Sequence, residues 1–107
     1  MIIFSESRYP TNKNQEVIAA WLAALEKYPK PEGLFKVLVD TAVGSDKDGL
    51  KVFSAYLIAP GKFDEAAAYL RKFMTSFFNI EGFGYSFENW ATIEEAMASI
   101  EEPVPER

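Results

Sequence analysis

Residues 34–59, LFKVLVDTAVGSDKDGLKVFSAYLIA, decide how this chain folds. Two long apolar runs rich in β-branched and aromatic side chains flank a polar break at residues 44–49. The break holds Gly44, Asp46, Asp48 and Gly49, which are turn residues. The stretch reads as a long β-hairpin that the rest of the chain must cover. In its first strand Phe35, Val37, Val39, Thr41 and Val43 share one face, and Leu34, Lys36, Leu38, Asp40 and Ala42 the other. In its second, Phe53, Ala55, Leu57 and Ala59 oppose Leu50, Val52, Ser54, Tyr56 and Ile58. Neither strand alternates cleanly between apolar and polar, so both faces are expected to be covered. The run Asp46-Lys47-Asp48-Gly49 has the look of a calcium loop. With Gly49 as its central glycine, however, the first ligand position falls on Gly44 and the closing acid on Ala55. It is an ordinary polar turn.

Before the hairpin, residues 1–9 open as a strand that turns polar at Ser5, Glu6, Ser7 and Arg8, and Pro10 stops its pairing. The facing of this strand is open, because Ile2, Ile3 and Phe4 are all apolar. Asn12 and Gln15 have capping-box spacing. Val17, Ile18, Trp21, Leu22, Leu25 and Tyr28 then recur at helical steps, which predicts a helix with Trp21 in the core. After the hairpin, Phe63, Ala66, Ala67, Leu70, Phe73, Met74 and Phe77 form a second helical stripe, with Asp64 and Glu65 at its positive end. Residues 83–88 alternate as a fourth strand, with Phe83, Tyr85 and Phe87 on one side. Gly82-x-Gly84 opens that strand and not a helix, so it is no phosphate loop. Thr92-Ile93-Glu94-Glu95 is a capping box for a short last helix, which is too short to persist alone in water and must dock. The chain divides into a core at residues 1–90, a C-terminal helix at 91–102 and an acidic tail at 103–107.

Composition narrows the chemistry. At 107 residues the chain holds one core. It has no cysteine and no histidine, hence no thiolate nucleophile, no imidazole base, and no Cys- or His-based metal site. No metal or cofactor is expected. The net charge of −5 disfavours nucleic acid and anionic membranes as partners. Seven glutamates fall in residues 81–107 against Arg107 alone, so the acidity belongs to the C-terminal end. A solvated face is the simplest explanation for it, and a docking surface for a basic partner is the sharper one. No signal peptide or membrane span is visible, so a soluble cytoplasmic protein is expected.

The element order β-α-β-β-α-β plus a helix is the split βαβ plan. It predicts an α+β fold with an antiparallel sheet ordered 4-1-3-2 and both long helices on one face. That face is expected to carry Phe35, Val37, Val39, Phe53, Ala55, Leu57, Phe83, Tyr85 and Phe87. The opposite face is expected to carry Lys36, Leu38, Asp40, Val52, Ser54, Tyr56, Ile58, Ser86 and Glu88. It is too apolar for water and too polar for a core, and a face-to-face homodimer enclosing a cavity resolves the conflict. On this element order and these two-faced strands, residues 1–90 resemble the ferredoxin-like dimeric α/β-barrel superfamily, which includes antibiotic-biosynthesis-type monooxygenases and stress-responsive barrel proteins. The resemblance implies a homodimeric barrel and, where a member is an enzyme, cofactor-independent oxygenation or isomerisation of a small molecule. Haem degradation, which relies on a histidine in that group, does not fit this chain.

The candidate ligand-binding residues are Lys36, Asp40, Ser54, Tyr56 and Glu88. Lys36 and Asp40, four apart, lie roughly 13 Å apart along an ideal strand at about 3.3 Å per residue, too far for an ion pair. Glu6 and Arg8 are two apart on one face and read as a surface pair. Trp90, just past a strand end, is a candidate for a pocket mouth or a cover for the last helix. The function expected is binding of a small apolar or aromatic molecule between the sheets. The alternative is a non-enzymatic interaction module that uses the acidic C-terminal helix and tail.

Overall fold

In the computed structural model, which describes residues 1–106, four strands form one antiparallel sheet. The strands are β1 (Ile2–Tyr9), β2 (Phe35–Asp46), β3 (Gly49–Ile58) and β4 (Gly84–Trp90). Helix α1 (Asn14–Lys27) joins β1 to β2, α2 (Phe63–Met74) joins β3 to β4, and α3 (Ile93–Ser99) follows β4. The sheet order is β2-β3-β1-β4, which is the expected 4-1-3-2 counted from the other edge.

The hairpin turns on Lys47 and Asp48, because Asp46 pairs with Gly49. The Asp46 carboxylate accepts from the Asp48 amide at 2.9 Å, which closes the turn locally. Gly49 is buried with φ +143°, and a Cβ there would lie 2.4 Å from the Tyr9 carbonyl oxygen. Glycine is needed because the end of β1 passes so close.

This two-residue turn corrects the expected facing of β3. Val43 pairs with Val52, so an odd-numbered residue of β2 shares its face with an even-numbered residue of β3. Val52, Ser54, Tyr56 and Ile58 therefore lie under the helices with Phe35 and Val37, while Phe53, Ala55 and Leu57 lie on the open face. Counting the turn as residues 44–49 had left that parity free. β1 settles with Ile3, Ser5, Ser7 and Tyr9 buried beneath the helices and Ile2, Phe4, Glu6 and Arg8 on the open side. Tyr85 and Phe87 face the helices and Ser86 and Glu88 face away, as expected.

β2 is irregular. Its register slips between Val37 and Val39, where Leu38 has no partner, and again between Val39 and Ala42, where Asp40 and Thr41 together oppose Ser54. Thr41 has φ 49°, a left-handed conformation unusual for a β-branched residue. The first bulge puts Val39 on the open face and the second returns Val43 to the helix face, so the strict alternation expected along this strand fails.

The two long helices pack differently. α2 lies close on the sheet through Ala66, Ala67 and Leu70, which meet Ile3 and Ile58. Small residues at that contact let the helix approach. α1 buries only Val17 and Ala24. Trp21 is 36% exposed and Leu22 54% exposed, so the expected core position of Trp21 is not observed. The Asn12–Gln15 capping box does not form either. Thr11–Lys13 is a 3-10 turn closed by the Lys13 amide on the Pro10 carbonyl at 2.9 Å. At the other end, the Thr92 hydroxyl accepts from the Glu95 amide at 3.1 Å and Glu95 accepts from the Thr92 amide at 3.0 Å. That capping box is as expected, yet α3 is shorter than residues 91–102 and buries no side chain. Residues 103–106 add no helix or strand, and Arg107 lies outside the described residues. Among the described residues no helix is long and apolar enough to cross a membrane.

Candidate functional site

Because α1 stands off the sheet while α2 sits down on it, a cavity of about 830 Å³ opens between helices and sheet. Its walls are aromatic. Phe73 and Phe77 come from the second helical segment, Phe83 and Phe87 from β4 and the loop before it, and Tyr69 closes the α2 side. Phe77 stacks on Phe83 with ring centroids 4.8 Å apart, and Phe35 meets Tyr56 edge-on at 5.0 Å. Tyr69 is fixed by donating to the Tyr28 carbonyl at 2.7 Å. Ile18, Trp21 and Leu25 of α1 and Asp40 and Val43 of β2 line the cavity while remaining exposed, so they mark its mouth.

The floor is polar. Ser5 and Ser54 are direct partners on β1 and β3, and Ser7 and Tyr56 continue the row. All three serines are buried, at 9% exposure or less. Sequence reading placed Ser5 and Ser7 only in a polarising strand end. Their matched parity with Ser54, which needs the register, is what puts them in one row.

At one end of the row the bulge contributes its own contacts. The Thr41 amide, freed from the ladder, donates to the Ser54 hydroxyl at 3.2 Å, and the Thr41 hydroxyl donates to the Asp40 carboxylate at 2.9 Å. Tyr56 has its phenol pushed up from the ordinary value, mainly by burial; a Ser54 hydrogen bond opposes this, and the Asp40 charge adds to it. Burial also raises Tyr9, whose hydroxyl donates to the Asn14 side chain at 3.2 Å at the far end of the cavity. Tyr56 is therefore a neutral phenol at neutral pH, a hydrogen-bond donor and not a phenolate.

Of the five candidate residues, Asp40, Ser54 and Tyr56 line this one cavity. Lys36 and Glu88 do not join them. Lys36 pairs with Leu57 and Glu88 with Phe4, and both are exposed on the open face. The bulges separate Lys36 from Asp40, which an ideal strand would keep on one face. The expected position of the site also changes, from between two sheets to between sheet and helices.

The open face has its own pattern. Phe4 stacks on Phe53 at 5.4 Å and meets Trp90 edge-on at 5.7 Å, with Trp90 54% exposed. Glu6 accepts from Arg8 at 3.0 Å, and Arg8 donates on to Asp46 at 2.9 Å. This surface chain ties β1 to the hairpin turn and lowers the Asp46 carboxyl below its usual range. Among the described residues no group of three or more potential ligands gathers to hold a metal ion.

No protein-family model matches the chain, and no curated protein matches it. Some solved structures are similar to it at low identity. A conserved protein from Methanosarcina mazei Go1 is 12% identical over 85% of this chain and 94% of its own, with a TM-score of 0.49. A de novo designed protein is 11% identical over 84% and 97%, with a TM-score of 0.46. A protein from Agrobacterium tumefaciens is 13% identical over 85% and 94%, with a TM-score of 0.41.

Proposed function

We propose that this chain binds a small apolar or aromatic molecule in the cavity between its sheet and helices. The observation that carries the reading is an aromatic-walled space of about 830 Å³ with a row of hydroxyl groups on its floor. That volume lies within the range of small-molecule sites, as does a mostly apolar lining with a few convergent polar groups. Tyr56 is the one floor group suited to act as a proton donor. A catalytic version of the reading is therefore a cofactor-independent isomerase or oxygenase with Tyr56 as acid.

The test is a titration with the neutral fluorescent probe N-phenyl-1-naphthylamine. In Trp90→Phe, Trp21 at the cavity mouth is the sole tryptophan, so bound probe should quench it by energy transfer with one-to-one saturation. Ser7→Leu, which fills the floor, should weaken binding at least tenfold. Absence of saturable binding, or indifference to Ser7→Leu, would reject the reading.

The assembly we infer is a ferredoxin-like βαββαβ protomer pairing with a second copy through the open sheet face, as in a dimeric α/β barrel. Phe4, Phe53 and Trp90 are the anchors on this reading, in place of Leu38, Val52, Tyr56 and Ile58. Ile93 of α3 and Ile100 just after it are 37% and 62% exposed, and a clasp over the partner copy would cover them. This use of α3 is preferred to capture of a separate basic protein, because its exposed apolar residues continue from Trp90.

A further inference from the structure

We infer that Tyr56 is the anchoring donor of the cavity and that its ligand class is a neutral aromatic ketone, whose carbonyl oxygen sits on the Tyr56 hydroxyl. The inference rests on the cavity being a binding site and goes on to name what it selects.

The direction of the hydrogen bonds supports it. Ser54 Oγ accepts from the Thr41 amide at 3.2 Å, and Ser54 neighbours the Tyr56 phenol. No hydrogen bond among the described residues takes up the Tyr56 proton, so it is left for the cavity that Tyr56 lines. Charged side chains occur only at the mouth, where Asp40 and Lys30 are exposed. An ionised ligand group buried at the floor would find no counter-ion there, which is costly, so the ligand is neutral. The flat rings of Phe73, Phe77, Phe83 and Phe87 favour a planar aromatic body.

A second, independent observation is the strain at Thr41. A β-branched residue at φ 49° and two register slips occur at the point where β2 faces Ser54 and Tyr56. A regular strand would send the Thr41 amide into the ladder and leave the Ser54 oxygen without this donor. Strain that persists beside a cavity and reaches into it is the kind that functional sites keep.

Fluorene and 9-fluorenone have the same outline and differ by one carbonyl. Their affinities are read by displacement of N-phenyl-1-naphthylamine from the full chain. Wild type should bind fluorenone about tenfold tighter than fluorene, as one buried hydrogen bond allows. Tyr56→Phe keeps the ring against Phe35 and should bring the preference to near unity. Ser54→Ala should reduce the preference part of the way, which covers the case in which Tyr56→Phe does not fold. Equal affinities in wild type, or a preference that survives in Tyr56→Phe, overturn the ketone assignment and leave the cavity reading standing. Failure of both compounds while the probe still binds also overturns it. If the probe itself never binds, the cavity reading is the one that fails, and the assignment falls with it.

Discussion

Thr41 and Gly49 both hold φ angles that side chains avoid, and opposite outcomes are expected from changing them. Thr41 occupies the left-handed region at the second bulge. Thr41→Gly relieves that conformation and should raise stability by about 1 kcal/mol, net of the extra freedom glycine has when unfolded. Urea unfolding reads this as a higher midpoint with an unchanged slope. A lower midpoint would show that the Thr41–Asp40 bond outweighs the strain. Gly49→Ala should cost about 2–3 kcal/mol or more, because its Cβ meets the backbone of Tyr9 and neither chain can give way. Thermal unfolding measures it, and a change under 0.5 °C would contradict the close approach. Sequence reading marked Gly49 as a turn residue and placed Thr41 as a regular strand position on the face of Val39 and Val43. A strand interior gives little warning of a bulge when β-branched residues such as Val39 and Val43 stand on both sides of it.

At the scale of elements, the C-terminal helix shows local chemistry at its clearest. Thr92 and Glu95 cap α3 in the way their spacing predicts, because a capping box needs only residues within one turn of each other. Thr92→Ala should remove about 1 kcal/mol of local helix stability, visible as faster amide exchange through Glu95–Ser99. Glu95 adds a pH dependence. Its carboxyl is held at about 2, first by the Met1 amino group and then by the Thr92 amide. The folded value lies below the ordinary 4.5, so what Glu95 contributes is complete above pH 4.5 and is lost as pH falls through 2. NMR titration of the Glu95 side chain should show that low midpoint, and Glu95→Gln should remove the acid step from α3 exchange. A midpoint near 4.5 would contradict the contact. The helix α1 is the opposite case. Its apolar stripe was legible, but whether the stripe packs down or stands off depends on what lies opposite. The serines and Tyr56 on the floor give it less to pack against than Ala66 and Leu70 find in Ile3 and Ile58.

For the molecule as a whole, a radius of gyration of 15.9 Å exceeds the roughly 13 Å of a compact chain this length. The excess agrees with a helix that buries nothing and a sheet with one uncovered face. On the proposed dimer, light scattering should give twice the chain mass at micromolar concentration. Trp90→Glu should shift it to a monomer without changing the far-ultraviolet circular dichroism spectrum. Truncation after residue 91 should weaken pairing by removing the clasp. A wild-type monomer at that concentration would remove the basis for pairing, since a stable interface needs about 800 Å² from each copy.

The sequence by itself determined what depends on near neighbours. It determined the hairpin, the order of strands and helices, the Thr92–Glu95 cap and the apolar rings. It also excluded histidine and cysteine chemistry outright. Tertiary structure alone decided which faces β1 and β3 turn to the helices. The β3 strand is apolar on both faces, so no alternation could choose between them. The choice came from the two-residue turn, which paired Val43 with Val52. The bulges at Leu38 and Asp40–Thr41 then moved Asp40 away from Lys36 and toward Tyr56. A one-residue shift in register costs little locally and moves a whole row of side chains to the other side of the sheet. That is why the polar residues were found in the sequence, but the cavity they share was found only in the fold.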